Sequence, residues 1–296
     1  MNLEEYLKEK RKFIDSAITA MVEPLKGSSV LYAAASYSLI PGGKRLRPIL
    51  MLSTYNAIKG KEEPIIPFAC AIEMVHTYSL IHDDLPIIDN SDLRRGRATT
   101  HKVYGSDMAL LAGDALLSFA FEIISNRLHL GKFRESALLT VIHEFGVATG
   151  IRGLVGGQVM DIVSSNMSSI DKKTILYIEE KKTASLISLA LRTAGILGEA
   201  GEEELKALTD FSLEFGVSYQ IIDDVLDAIS SPEVLGKDTG QDKKNKRATF
   251  VALYGVEEAK KIASEFVQKG IGFLAPFGEK YKILADIAEY TFQRIK

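Results

Sequence analysis

The sequence predicts an all-α protein, and three observations lead there. Only 8 prolines occur in 296 residues, and none lies between Pro86 and Pro232. An interior proline costs a helix about 3 kcal/mol, so long proline-free segments leave helices undisturbed. Apolar residues recur along those segments at the helical period, and no run alternates with a period of two between hairpin signals. At roughly 100–200 residues per domain the length allows one or two domains. No Ser-, Gly- or Pro-rich linker divides the chain, so residues 1–296 are expected to form a single domain.

The first helix is expected over 3–23, where Leu3, Tyr6, Leu7, Ile14, Ala17, Ile18 and Met21 make an apolar stripe. Charges run through its first dozen residues, so no secretory signal is expected there. Further helices are expected over 28–39, 47–58, 65–84, 107–128, 133–147, 150–165, 171–197, 202–229, 248–270 and 279–295. The apolar region from Met108 to Ile124 is interrupted by Asp114 and falls short of a bilayer span, so no membrane crossing is expected. Two polar segments break the helical pattern: 85–106, with Pro86, Gly96 and Gly105 as breakers, and 230–247. Long loops inside a compact domain are functional or disordered. Both of these directly follow a run of paired aspartates.

Composition narrows the function. Hydrophobic residues make up 46% and charged residues 25%, the balance of a soluble globular protein. The net charge of −3 gives no electrostatic footprint for nucleic acid, so no nucleic-acid partner is expected. One cysteine, Cys70, excludes an intramolecular disulfide and a multi-thiolate zinc site, and it fits a cytoplasmic location.

The chemistry sits in the two aspartate runs. The first, IHDDLPIIDN, holds Asp83, Asp84 and Asp89; the second, YQIIDDVLD, holds Asp223, Asp224 and Asp227. Asp223 and Asp227 are four apart and share one helix face. Asp83 and Asp89 are six apart, which a straight helix would set about 240° around. Pro86 resolves this, because it biases Leu85 out of the helical region; the helix should end near Asp84 and the chain turn Asp89 back. Adjacent carboxylates repel unless neutralised, and Mg²⁺ is held by a few carboxylates together with substrate phosphates. One such pair alone is ordinarily a solvated helix end. Two pairs on apolar helices, each leading into a basic loop, point to metal and phosphate.

The cations match. PGGKRLRP supplies Lys44, Arg45 and Arg47, and DLRRGR supplies Arg94, Arg95 and Arg97. Lys181 and Lys182 precede Thr183; Lys237, Lys243, Lys244, Lys246 and Arg247 lie in the second polar loop. Arginine forks fit phosphate oxygens and lysine supplies a point charge. No P-loop or HExxH motif is present. His76, seven residues before Asp83, is either a phosphate donor or a core histidine, and spacing leaves both open.

Taken together, GGKRLRP, EMVHTYSLIHDDLPIIDNSDLRRG, KKTASL, YQIIDDVLD and LGKD resemble, in the same order, the signature segments of the trans-isoprenyl diphosphate synthases (polyprenyl synthetases). The four-residue spacer of the first aspartate motif resembles the bacterial farnesyl diphosphate synthase subgroup, and the closing EYTFQRIK resembles the C-terminal end of bacterial members of the family. The resemblance implies the isoprenoid synthase fold, a bundle of about ten or more helices around a deep central cavity, in a homodimer. It implies a head-to-tail condensation of isopentenyl diphosphate with an allylic diphosphate, dimethylallyl or geranyl. Asp83, Asp84, Asp89, Asp223, Asp224 and Asp227 would serve Mg²⁺, three ions per site, as ligands or close support. Arg94, Lys182, Thr183, Gln220, Lys237 and Arg247 match the allylic site, with Lys182, Thr183, Gln220 and Lys237 in catalytic positions. Lys44, Arg47, His76 and Arg95 match the isopentenyl diphosphate site. Arg247 stands where a lysine is common, which changes the contact geometry.

Product length is read from the helix before Asp83. Tyr78, five residues back, lies about 7.5 Å down the helix and about 140° around, so it should border the cavity, while Ser79 is small and leaves room. Within the resemblance a bulky residue there floors the cavity, which favours farnesyl diphosphate over the geranylgeranyl or geranyl product. The alternatives from other classes are an HD-type metal phosphohydrolase using His82 and Asp83, a terpene cyclase, and a non-catalytic synthase subunit. The first needs further histidine ligands, the second has no use for GGKRLRP, and the third should have lost one aspartate run.

Overall fold

Asn2 starts the first helix: its side chain accepts the Glu5 N–H while Glu5 reaches back to the Asn2 N–H, and α1 then runs Leu3–Val22. The computed structural model describes residues 2–27, 30–167, 169–229 and 247–295. It continues with α2 (Val30–Leu39), α3 (Leu46–Lys59), α4 (Ile66–Asp83), α5 (Thr100–Tyr104), α6 (Ser106–Ile124), α7 (Glu135–Thr149) and α8 (Leu154–Ser164). After these come α9 (Lys172–Ile178), α10 (Ser185–Leu197), α11 (Glu202–Ile229), α12 (Phe250–Tyr254), α13 (Val256–Leu274) and α14 (Lys282–Gln293). The all-α expectation holds.

Two helices are apolar nearly all round and sit at the centre. Every residue from Phe68 to Val75 of α4 is buried, as is every residue from Leu186 to Leu191 of α10. A helix of that kind must be enclosed by others. Thus α4 packs on α1, α2, α3, α6 and α10, and α10 packs on α3, α7 and α11. The long α11 spans two apolar clusters: Phe211 and Phe215 belong to the main core, while Ile221, Ile222 and Val225 pack with α9, α12 and α13. Its second aspartate run lies in the latter stretch.

Four expectations change. The segment 171–197 is not one regular helix, because Glu179–Ala184 between α9 and α10 is π-helical. The segment 248–270 is split at Gly255, whose φ of +80° breaks the helix. The polar segment 85–106 contains α5 and a hairpin, Leu93–Arg94 paired antiparallel with Arg97–Ala98. Strands of two residues are too short to alternate visibly. Its turn needs positive φ at both central residues, supplied by Arg95 (55°) and Gly96 (74°). Finally, Glu63–Asp83, Ser106–His129 and Glu135–Ser164 are each long and apolar enough to cross a membrane by length and composition. The Met108–Ile124 region therefore does not fall short as expected, since helical residues extend it on both sides. The most apolar window of Glu63–Asp83 is nonetheless 72% buried inside the protein.

The π-helical turn is wedged between α8 and α11 by two glycines. A Cβ on Gly157 would stand 2.4 Å from the Lys182 backbone nitrogen, and one on Gly216 would stand 2.4 Å from Ala184 Cα. Because the obstacle is backbone, Gly157→Ala should cost about 1–3 kcal/mol in a denaturant unfolding curve. Gly272→Ala, where nothing lies within 4 Å of the added carbon, should instead stabilise by about 0.5–1 kcal/mol.

Candidate active site

The helices enclose a cavity of about 460 Å³. Lys44, Arg47, His76, Ser79, Asp83, Asp89, Arg94, Arg95, Lys182, Thr183, Gln220, Asp223, Asp224 and Asp227 all line it. Asp84, Tyr78 and Arg247 are not in its wall, and Lys237 lies outside the described residues.

Where α4 ends, the chain folds back as Pro86 demands. Asp89 N–H bonds to Asp83 O at 3.0 Å and Ser91 N–H to Asp84 O at 3.3 Å, so Asp83 and Asp89 reach the same wall. Asp84 turns the other way. It is buried, and Arg94 grips it through Nη2 at 2.5 Å and Nε at 3.2 Å, so it supports Arg94 and does not face the cavity. Burial pushes the Asp83 carboxyl up to about 6; Lys182 and Arg94 oppose the rise, while Asp89 and Asp84 add to it.

Across the cavity, Asp223 faces Arg294 Nη1 at 3.4 Å and Lys44 Nζ at 3.8 Å. A hydrogen-bonded row runs beside it: Thr183 Oγ1 donates to Gln220 Oε1 at 2.7 Å, and Gln220 Nε2 donates to Asp224 at 2.8 Å. Asp227 Oδ1 is buried with no hydrogen-bond donor among the described residues. A buried carboxylate oxygen in that condition, opposite an Asp83 that ionises reluctantly, fits a site built for a hard cation. Among the described residues no three acidic, histidine or cysteine side chains converge enough to hold an ion by themselves. Oxygen ligands from a phosphate and water would have to complete the shell.

The basic wall depends on residues that the sequence reading passed over. Glu73, buried in α4, pairs with Arg45 Nη1 at 2.7 Å and lies 3.8 Å from Arg95 Nη2. Arg45, listed above among the cations of GGKRLRP, spends its guanidinium inward on Glu73, Asp15 and the Leu39 carbonyl. It anchors the loop, leaving Lys44 and Arg47 for the cavity. Gly43 makes room for Arg95, whose Nη2 would be 2.7 Å from any Cβ there. Burial lowers the Arg47 and Arg95 pKa values, and burial followed by Arg47 and Arg95 holds His76 well below its usual value, as a neutral imidazole. Glu73, already bound to Arg45, does not offset the burial of these groups.

On the remaining wall Lys182 donates to Asp161 at 2.6 Å, and Arg247 pairs with both Asp161 and Asp89. Burial opposes the charge on Lys182, but Asp161 and Asp83 outweigh it and raise its pKa. Asp161 was legible only as a lone acid in the apolar VGGQVMDIV, as Glu73 was in FACAIEMV. Arg294 sits in the closing EYTFQRIK without a motif of its own. Tyr78 is buried behind the wall, its ring edge-on to His82 at 5.6 Å, while Ser79 is in the wall itself. Tyr78 thus stands one layer back from the expected position. His82 points to α6, where its Nε2 meets Leu110 O at 2.9 Å, so no His82–Asp83 metal pair forms.

The polyprenyl synthetase family matches residues 28–280. The chain is 40% identical over 261 residues to farnesyl diphosphate synthase of Geobacillus stearothermophilus, covering 88% of this chain and 87% of that protein. It is 38% identical over 293 residues to geranylgeranyl diphosphate synthase of Cyanophora paradoxa, covering 99% and 97%. A Helicobacter pylori geranyltransferase solved with magnesium and isoprenyl diphosphate superposes with a TM-score of 0.80 at 30% identity, over 97% of each chain.

The enclosed Asp83 gives a pH signature in the ion-free protein. Its folded pKa lies above the ordinary 3.8, so its buried charge increasingly penalises the fold as pH rises between about 4 and about 6. In chelator, Asp83→Asn should match the parent near pH 4 and melt about 3 °C or more higher at pH 8. Equal melting gains at both pH values would contradict the assignment.

Proposed function

Because the chain belongs to the polyprenyl synthetase family, we propose that its cavity joins isopentenyl diphosphate to an allylic diphosphate and releases the fifteen-carbon product. The chain is a prenyltransferase that elongates prenyl diphosphates head to tail. One observation supports the two-substrate reading: a wall rich in cations (Lys44, Arg47 and Arg95) and carboxylates from both aspartate runs (Asp83, Asp89, Asp223, Asp224 and Asp227) line the same cavity. Isopentenyl diphosphate takes Lys44, Arg47, His76 and Arg95. The allylic diphosphate takes Arg94, Lys182 and Lys237, with Thr183 and Gln220 beside its carbon chain. Asp83, Asp89, Asp223 and Asp227 hold Mg²⁺, three ions in all, with Asp84 and Asp224 in support through Arg94 and Gln220.

Bound there, Mg²⁺ would neutralise the diphosphate and ease its departure. The chain's own residues do the rest. Breaking the allylic C–O bond puts negative charge on diphosphate, which Lys182 and Arg94 meet as it develops. The allylic carbon becomes positive, and the oxygen dipoles of Thr183 and Gln220 lie along it. The apolar helices around the cavity keep water from the cation. The isopentenyl double bond then attacks it, forming the new C–C bond, and the proton lost from the isopentenyl unit goes to the released diphosphate. No protein base is required.

One catalytic domain spans the chain, and it works as a cytoplasmic homodimer; the exposed Leu110, Leu111 and Leu139 on α6 and α7 support a paired surface. The farnesyl product rests on Tyr78. A tail growing along α4 would press on the wall at Ser79, with the buried Tyr78 ring, backed by His82, one layer behind it.

Asp83→Ala and Asp223→Ala should each lower kcat by about 100-fold or more, measured with both substrates saturating. Near-normal turnover in either would sink the metal assignment. Incubation with isopentenyl and dimethylallyl diphosphates, followed by chromatography of the dephosphorylated alcohols, should give the fifteen-carbon alcohol. Tyr78→Ala should shift it to twenty carbons or more; an unchanged distribution in a folded, active variant rules Tyr78 out as the stop.

A further inference from the structure

Arg247 joins two carboxylates from separate elements. Its Nη1 meets Asp161 Oδ2 of α8 at 2.6 Å, and its Nη2 meets Asp89 Oδ1 in the turn after α4. The side chain is only 10% exposed, and the Asp161 oxygen it uses also accepts from Lys182 at 2.6 Å. A metal ion on Asp89 would bring a second concentrated positive charge against the guanidinium that already holds one of its oxygens. We infer that Arg247 is the resident counter-ion of Asp89 in the ligand-free protein, displaced when metal and diphosphate arrive together, and that Asp161 is the positioning residue that keeps Arg247 and Lys182 in place through the exchange. This rests on the reading of Asp89 as a metal carboxylate.

The guanidinium suits the task. Its nitrogens are fixed in one plane, so Nη1 can stay on Asp161 while Nη2 changes partner from a carboxylate to a phosphate oxygen. A lysine has one nitrogen to divide between the two. The exchange also has a thermodynamic consequence. Bare metal on Asp89 is repelled by Arg247 and leaves the loosened guanidinium without a new partner, whereas metal with diphosphate supplies an acceptor for that nitrogen. Arg247 therefore opposes the first and favours the second.

The test is a pair of titrations on the full chain without isoprenoid substrates. Free Mn²⁺ is followed by electron paramagnetic resonance, first alone and then with inorganic diphosphate. Arg247→Ala should bind Mn²⁺ alone about fivefold tighter, and Mn²⁺ with diphosphate about tenfold weaker. Arg247→Lys, which keeps the charge, should fall between parent and alanine variant in both. Asp161→Asn leaves Arg247 to Asp89 alone, so both titrations should weaken. A structural role would move both titrations of Arg247→Ala in one direction, and that result, or unchanged Mn²⁺ affinity without diphosphate, overturns the inference. Asp89→Asn separates the two readings: if it leaves Mn²⁺–diphosphate binding intact, the metal assignment of Asp89 itself fails, whatever Arg247 does.

Discussion

Concentrating five aspartates in the wall of one cavity, with Asp84 buried just behind it, is the constraint to which the rest of the structure answers. Carboxylates this close repel, and burial makes each charge more costly, so positive charge has to be delivered to the same place. Much of the backbone irregularity nearby serves that delivery. Arg45, Asn90 and Arg95 adopt positive φ, an uncommon conformation for residues with a Cβ, and all three flank the cavity loops. The π-helical turn between α9 and α10 presents Lys182 and Thr183 side by side to the cavity, and Gly157 and Gly216 exist in the packing to admit it. Among the described residues, three of the four non-glycine positions at positive φ lie at the site; the fourth, Glu199, is remote.

The charge balance is met in two different ways. Arg45 and Arg94 are consumed by protein carboxylates, Glu73 with Asp15 and Asp84 respectively, and act as scaffold as well as charge. Both keep their charge despite burial, because those partners outweigh the loss of water. Arg47 and Arg95 have no equal partner, and burial lowers their pKa. A loop with three cations in four residues thus divides them by role: Arg45 folds the loop, while Lys44 and Arg47 face the cavity.

Motif and spacing made the elements of this site legible, but not their second layer. The paired aspartates, GGKRLRP and the Pro86 turn could be read because residue type and local geometry agree within a few positions. The fold-back of Asp89 onto Asp83 follows from Pro86 alone. Glu73 and Asp161 were not legible, since a single acid in an apolar helix shows its partner only when distant helices meet. Asp84, expected as a ligand or close support, turns onto Arg94 where α4 ends, about 100° around from Asp83, which stays in the wall. Tyr78 repeats the geometry one turn earlier, with Ser79 in the wall and its neighbour behind. The π-helical turn leaves no trace in hydrophobic period over six residues, and the two-residue strands leave none in alternation.

On the proposed function, that arrangement would also separate two substrates that carry the same headgroup. A diphosphate arriving with no metal meets its best complement at Lys44, Arg47 and Arg95, where cations exceed the single buried acid Glu73. At the opposite face carboxylates exceed cations, so bare diphosphate is repelled and only a metal-neutralised one is stable. The sorting comes from net charge on each wall and not from any contact with the carbon chains. It needs no recognition of the allylic double bond at the binding stage. On the proposed reading, specificity for the tail would then fall to the depth of the apolar helices, where Tyr78 lies buried behind the wall, apart from the charged mouth of the cavity.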